Sequence, residues 1–305
     1  MTPAPIALFT YNRPEHTRQT LEALKKNSLA KASHLFIFSD GPKSPLDEEL
    51  VKEVRNHIRN IDGFKEITTI ERDENRGLAS SITDGVTRLV DECGRVIVLE
   101  DDMITSPAFL TFMNSALEYF KLKKRVWHIS GWNYPIDPTG LPDTFLWRVM
   151  NCWGWATWAD RWQFYEKDTK TLINNFTKQD IYRFNLDGCE DFWGQVLANR
   201  SGAINTWAIY WYATIFLNQG LCLNPAWSYV KNIGLDGSGI HCGNDPSLNR
   251  RRLNTKTHVR FPKKLEEDKE ALKAIKKYFS SRKRPLLTRI VNKLSKTLTQ
   301  RVRPR

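Results

Sequence analysis

The stretch Arg95-Val96-Ile97-Val98-Leu99-Glu100-Asp101-Asp102 decides how the chain is read. Four apolar residues in a row, three of them β-branched, predict a strand buried on both faces. Three carboxylates follow at the point where that strand leaves its sheet. Adjacent acids repel one another, so a fold that gathers them there needs a cation beside them. In open α/β sheets, ligands sit beyond the carboxyl ends of the strands. Hard oxygen ligands of this kind suit Mg²⁺ or Mn²⁺ held against a phosphate.

The pattern upstream agrees. Ile6 to Tyr11 predicts a first buried strand, and Pro14 sits in the first turn of a helix that runs to about Asn27. Proline suits that position because its missing N–H would be unpaired anyway. Leu35 to Phe38 predicts a second strand, closed by Ser39-Asp40-Gly41-Pro42. A helix from near Asp47 places Leu50, Val51, Val54 and Ile58 on one face, Ile67 to Ile70 is a third strand, and Leu78 to Val90 a further helix. Strands alternating with helices across short connections predict a mostly parallel sheet covered on both faces.

Beyond Asp102 the alternation stops. A helix is expected over 107–121, strands over 126–130 and 145–149, helices with loops over 165–203, and a buried helix over 207–219 whose apolar residues fall on every side. The cluster Cys152-Trp153-Gly154-Trp155-Ala156-Thr157-Trp158 lies in this half, and most of the eleven Trp residues fall between Trp127 and Trp227. Residues 234–243 are glycine-rich and expected to form a mobile loop. A charged helix is expected from Leu265 to Phe279. Beyond it Leu286, Leu287, Ile290, Val291, Leu294 and Leu298 recur at helical spacing, with Arg289, Lys293 and Lys296 largely between them. Such a basic amphipathic helix suits an anionic membrane surface.

The net charge of +12 is concentrated in this tail. Nine Lys/Arg and no acid fall in residues 281–305, so the other 280 residues net only +3. A nucleic-acid-binding fold carries its cations along one face of the body, and no nucleic-acid partner is expected. Five scattered Cys (93, 152, 189, 222 and 242) contain no CxxC pair. That argues against a disulfide framework or zinc site and fits a reducing cytoplasm. The N-terminus shows neither a charged n-region nor a long apolar h-region, so no signal peptide is expected. No apolar run reaches membrane-spanning length.

Four segments converge on the carboxyl edge of the expected sheet: Thr10-Tyr11-Asn12-Arg13-Pro14, Asp40, Asn75-Arg76-Gly77-Leu78 and the acidic triplet. An aromatic beside an arginine suits a base and its phosphates, a carboxylate can accept from a base N–H or ribose hydroxyls, and glycine permits close backbone approach. Together with Phe9, Ser39 and Gly41, these segments resemble the nucleotide-sugar-binding half of GT-A fold glycosyltransferases. The resemblance is to the branch of N-acetylglucosaminyltransferase I and its bacterial surface-polysaccharide relatives. There the metal motif is Glu-Asp-Asp, and the bacterial members carry Trp-Gly-Trp and Asn-Ile-Gly segments, matched here by Trp153-Gly154-Trp155 and Asn232-Ile233-Gly234. The resemblance spans about residues 4–245.

It implies a GT-A, Rossmann-like sheet flanked by helices, with a nucleotide-sugar half (1–125), a Trp-rich acceptor half of the same domain (126–262) and a C-terminal helix with a basic helical tail (263–305). It implies that Thr10, Tyr11, Arg13, Asp40, Arg76 and Asp101 bind the nucleotide. Asp102 would hold Mn²⁺ or Mg²⁺, Glu100 would face the transferred sugar, and Trp153, Gly154 and Trp155 would shape the sugar or acceptor pocket. His241 is expected to close on the diphosphate from the glycine-rich loop. The branch takes its general base from an Asp directly after a Trp. The matching position here is Ala208, which cannot accept a proton. Asp191, with Glu190 beside it, is the expected substitute, and Asp187 and Asp160 are reserves.

The implied activity is metal-dependent, inverting sugar transfer from a nucleotide sugar, UDP favoured, to a glycan or lipid-linked glycan in bacterial surface polysaccharide or lipopolysaccharide synthesis. The enzyme would be cytoplasmic and peripheral on the inner face of the plasma membrane through residues 282–305. Two alternatives stand beside it. One is a carbohydrate-binding module that has lost its base. The other is a sugar-nucleotide pyrophosphorylase, disfavoured because no glycine-rich loop follows the first strand.

Overall fold

A computed structural model describes residues 2–237, 245–249 and 251–282 of the chain. The expectations for His241 and for the amphipathic stretch from Leu286 to Leu298 lie outside the described residues. The first half runs β1 (Ile6–Thr10), α1 (Pro14–Lys25), β2 (His34–Ser39), α2 (Pro45–Arg59), β3 (Glu66–Glu71), α3 (Leu78–Cys93), β4 (Arg95–Glu100). The second runs β5 (Met103–Thr105), α4 (Phe109–Phe120), β6 (Val126–Ser130), β7 (Thr144–Trp147), β8 (Trp155–Trp158), α5 (Ala159–Trp162), α6 (Thr169–Asn175) and α7 (Lys178–Phe184). It continues through α8 (Phe192–Arg200), α9 (Ala208–Leu217), β9 (Leu221–Pro225), β10 (Val230–Asn232) and α10 (Lys269–Arg282).

One eight-stranded sheet runs through both halves in the order β3-β2-β1-β4-β8-β6-β9-β7. The expected α/β class, a large central sheet flanked by helices, is therefore present. β3, β2, β1 and β4 pair in parallel, as the alternation of strand and helix requires. The rest of the sheet is mixed. β8 is antiparallel to both β4 and β6, β6 is parallel to β9, and β7 is antiparallel to β9. Parallel neighbours need a long crossover, and the chain between β6 and β8 holds no helix.

In the parallel part β1, β2 and β4 are buried on both faces, whereas the edge strand β3 is only partly buried. Phe9, Phe38, Val96 and Val98 face one apolar cluster with Ile82, Val86 and Leu89 of α3, while Leu8, Ile37, Ile97 and Leu99 face another with Leu21, Leu24 and Phe112. That alternation follows from side chains pointing to opposite faces along a strand. The first cluster continues into the tryptophan-rich half through Trp155, Trp162 and Trp211.

Four strands, β5, β8, β9 and β10, fall where none is expected. β5 and β10 form a separate antiparallel ladder, Met103↔Asn232, Ile104↔Lys231 and Thr105↔Val230, too short to show a period of two. β9 is apolar for only three residues before Asn224 and Pro225. The strand expected over 145–149 ends at Trp147, and α10 begins at Lys269 rather than Leu265. Among the described residues, no helix is long and apolar enough to cross a membrane.

His128 of β6 is wholly buried. Its Nδ1 accepts from the Trp211 indole N–H at 3.2 Å, so its Nε2 carries the proton and donates to the Asn151 carbonyl at 3.0 Å. Burial pushes its pKa down to about 3. The imidazole contributes stability that is complete above the unfolded value of about 6.5 and is lost as pH falls from there towards 3, at up to about 1.4 kcal/mol per pH unit. Urea unfolding should show the advantage of the wild type over His128→Gln shrinking at that rate below pH 6.5. Comparing the two proteins cancels the carboxylates they share. An advantage that stays constant from pH 7.5 to 5 would contradict this account.

Candidate active site

The loops that follow β1, β2, β3 and β4 open into one cavity of about 430 Å³. Thr10, Tyr11 and Arg13 line it from the first loop, Asp40 from the second, Asn75 and Gly77 from the third, and Glu100, Asp101 and Asp102 from the fourth. These sequence-predicted residues are thus gathered at one sheet edge. Phe9 and Phe38, stacked with ring centroids 4.9 Å apart, form part of the wall. The opposite wall, residues 202–205 between α8 and α9, carries no sequence signal and is not anticipated.

Arg13 is the centre of the site. Its guanidinium donates to both carboxylate oxygens of Asp101 and lies 2.9 Å from Asp102 Oδ2. Asp101 and Asp102 are 4% and 3% exposed, so the arginine compensates two buried charges. Burial alone would lower the Arg13 pKa, but Asp101 and Asp102 outweigh it and hold it above the ordinary arginine range. Burial raises Asp101 to about 6 against the pull of Arg13. Burial, with the charges of Asp102 and Asp101, raises Glu100 to about 8. The backbone is fixed as well, because Thr20 Oγ1 of α1 donates to the Asp101 carbonyl at 2.7 Å.

The Asn232-Ile233-Gly234 segment lies against the triplet. The Ile233 N–H donates to the Asp102 carbonyl at 2.8 Å. A Cβ on Gly234 would stand 2.2 Å from Asp102 Oδ2 and 2.7 Å from Arg13 Nη1, so no larger residue fits there. His16 of α1 and Asp236, 3.2 Å apart, tie the same segment to the first helix.

Asp40 serves first as an internal cap. Its Oδ1 accepts from the Gly41 and Arg76 N–H groups at 3.1 and 2.9 Å, and its Oδ2 accepts from the Gly77 N–H at 2.8 Å. This carboxylate shapes the turn that opens α3, where Gly77 takes a φ of +76°. It still borders the cavity and keeps acceptor capacity on Oδ2. The expectation for Arg76 is corrected. Its side chain is exposed, lies 3.9 Å from Asp84 and does not line the cavity. Only its backbone N–H enters the site, through Asp40.

The aromatic expectations divide. Trp153 borders a second cavity of about 300 Å³ with Trp132 and Tyr134. Trp155 is corrected to a core residue, since it is wholly buried and stacks on Trp207 at 5.0 Å and on His128 at 5.3 Å. Gly154 is also structural. It turns with a φ of +61°, packs against Phe109 and Val230, and its carbonyl accepts from the Gly131 N–H. Neither helps to form a sugar pocket.

Asp191 and Glu190 do not line the cavity that holds Asp102. Asp191 is the exposed N-cap of α8, accepting from the Gly194 N–H at 2.9 Å, a role acidic residues commonly fill. Glu190 is half-buried, and its charge acts on Tyr134, helping burial push the phenol pKa above its ordinary range. Glu190 does not line the second cavity, whose wall includes Tyr134, Phe192 and Ala208. The reserves are engaged elsewhere: Asp187 pairs with Arg148 at 2.9 Å and Lys276 at 2.5 Å, and Asp160 pairs with Arg161 at 2.5 Å.

Asp102 Oδ1 is buried and has no hydrogen-bond partner. Among the described residues no three His, Cys, Asp or Glu side chains cluster as a cation cage. One orphaned carboxylate oxygen on a residue lining this cavity fits Mn²⁺ or Mg²⁺, which keeps water and takes phosphate oxygens as its remaining ligands. It does not fit a metal held wholly by protein.

No family model matches the chain, and no curated protein matches it. Solved structures resemble it at low identity. Staphylococcus aureus TarS matches 41% of this chain at 14% identity and a TM-score of 0.29, and the chain spans only 21% of TarS. An active-site mutant of LgtC matches 69% of this chain and 70% of its own at 7% identity and a TM-score of 0.39. The galactosyltransferase LgtC, in complex with donor and acceptor sugar analogs, matches with the same coverage at 9% identity and a TM-score of 0.38. Likenesses this distant carry no argument about function.

Replacing Arg13 with Met leaves Asp101 and Asp102 buried without their cation. The loss should reach about 3–5 kcal/mol, as for other broken buried pairs, read as a drop in the urea midpoint at pH 7.5. Arg13→Lys should recover only part, because an ammonium lacks the planar fork that spans two carboxylates. A stability change below about 1 kcal/mol for Arg13→Met would mean the pair is solvated.

Proposed function

We propose that the chain is a metal-dependent, inverting glycosyltransferase that takes its sugar from a nucleoside diphosphate, UDP favoured. The observation that carries this is the orphaned, buried Asp102 Oδ1 in the same cavity as Arg13, Tyr11 and the cap carboxylate Asp40. When bound on Asp102, Mn²⁺ or Mg²⁺ would neutralise the charge that gathers on the diphosphate as the sugar–oxygen bond breaks. Tyr11 and Asp40 border the end suited to a base and ribose. Arg13 orients Asp101 and Asp102, and Glu100 stands where it can meet the transferred sugar. The N-terminus of α3, opening at Gly77, adds donors for an anion.

An acceptor hydroxyl attacks the anomeric carbon from the face opposite the phosphate. The sugar–oxygen bond breaks with its electron pair going to the diphosphate, and the hydroxyl proton passes to a base. Glu190 is the base in this proposal: its charge reaches Tyr134 of the aromatic cavity wall, whereas Asp191 is committed to capping α8. The acceptor is a glycan or lipid-linked glycan of a bacterial surface polysaccharide, and the basic residues 282–305 would hold the enzyme at an anionic membrane. A second reading, a carbohydrate-binding module without turnover, is favoured by one observation: Ala208 stands in that cavity wall where the resembling branch carries its base.

Calorimetry with UDP, GDP and CDP, with and without Mn²⁺, should show binding of UDP that requires the metal in the wild type and is lost or greatly weakened in Asp102→Asn. Nucleotide binding indifferent to metal in both proteins, or none at all, would refute the donor assignment.

The base is tested separately. Glu190→Gln should lower kcat about 100-fold or more with donor affinity kept, as for loss of a general base. Asp191→Asn should leave kcat within a few-fold and cost at most about 1 kcal/mol of stability, as for a weakened cap. The reverse ranking would restore Asp191 as base.

A further inference from the structure

The second cavity joins a groove that the donor site does not use. Trp132, Tyr134 and Leu248 line both. Trp132 stands edge-on to Trp153 at 4.5 Å and to Tyr134 at 4.7 Å, which makes an aromatic floor. Such rings pack against the C–H faces of sugars while presenting polar edges to hydroxyls. Asn151, 6% exposed, lines the first part of this surface, and its side-chain amide nitrogen has no partner. A buried amide without a partner is costly, and a ligand hydroxyl in the cavity would satisfy it.

The groove differs from the cavity in charge. Lys231, Arg251 and Arg252 line it, and no acidic residue lines either part. None of the three cations forms an ion pair with a carboxylate of the described residues. The masked segments contain no Asp or Glu to pair with them. Asp137 feels the charge of Arg251, but its carboxylate is bonded to Thr139. The arginine-bearing segment is anchored as well. The half-exposed Trp227 donates its indole N–H to the Arg252 carbonyl, and the Asn254 N–H donates to Ser228 at 2.8 Å. Lys231 sits on β10, opposite Ile104, two residues past Asp102. The backbone of Lys231 therefore lies close to the triplet.

We propose that the aromatic cavity and its cationic groove bind an acidic oligosaccharide, a neutral ring on the Trp132–Tyr134–Trp153 floor and its carboxylate or phosphate groups on Lys231, Arg251 and Arg252. This rests on the transferase proposal for its purpose, since it gives the acceptor its chemical class. The binding itself needs neither nucleotide nor metal.

The test uses the full chain on an array of oligosaccharides bearing uronate, phosphate or sialic acid, each beside a neutral counterpart, without nucleotide or metal. Binding should be confined to acidic members, weaken as salt rises, and fall about tenfold or more when all three cations are reversed (Lys231→Glu, Arg251→Glu, Arg252→Glu), in line with loss of charge complementarity. A matched variant (Lys231→Gln, Arg251→Gln, Arg252→Gln) should fall between the two, and unfolding midpoints of both variants should match the wild type. Uronate-only or phosphate-only binding would identify the acidic group. Equal binding of neutral glycans, binding by no acidic member, or an unchanged signal from the folded charge-reversed variant would overturn the assignment. UDP calorimetry on the same samples reports separately on the donor site, so either proposal can fail alone.

Discussion

A single guanidinium held between two buried carboxylates organises this protein. Arg13 leaves the end of β1 and Asp101 and Asp102 leave the end of β4, neighbouring parallel strands of one sheet. Neither acid is stable at that depth without the arginine, and the arginine is desolvated in turn. The pair therefore locks the loops after β1 and β4 to each other. Thr20 from α1, Ile233 and Gly234 from the segment after β10, and the His16–Asp236 contact all close on the same point. One ionic arrangement thus sets the relative position of three chain segments far apart in sequence, and it leaves one oxygen of Asp102 without a partner.

The first half of the fold was legible because its physics is local. Buried parallel strands are continuous apolar runs, and Pro14 and Gly77 mark helix starts by their backbone requirements. The second half was harder. β5 and β10 have three residues each, and β8 is a tryptophan-rich segment whose pairing partners depend on connections that no local pattern reveals. The site followed the same division. Acids and turn residues after strands converge by topology, so Arg13, Asp40 and the triplet were found together. What each side chain then does was not legible. Arg76 enters by its backbone, Asp40 spends most of its acceptors on a turn, and residues 202–205 reach the cavity from a loop with no chemical signature.

The tryptophans show why residue type alone is a weak guide to binding. Trp153 and Trp155 are two positions apart, yet one borders a cavity and the other is stacked between Trp207 and His128. Trp155 belongs to β8 whereas Trp153 precedes it, and the turn at Gly154 between them decides this, not the aromatic character of either residue. The indole of Trp211 also fixes which imidazole nitrogen of His128 carries a proton. The aromatic half is therefore a polar-tuned core with one open edge.

The three-residue ladder between β5 and β10 has a mechanical meaning. Its β5 strand begins directly after Asp102, and its β10 strand carries Lys231 and runs into Gly234. The space at Gly234 is so small that only a residue without a side chain can carry the chain from β10 past the Asp102 carboxylate. The neighbouring sites therefore share a strut, with a groove cation on β10 and, two residues beyond its end, a side-chain-free position pressed against a single carboxylate oxygen.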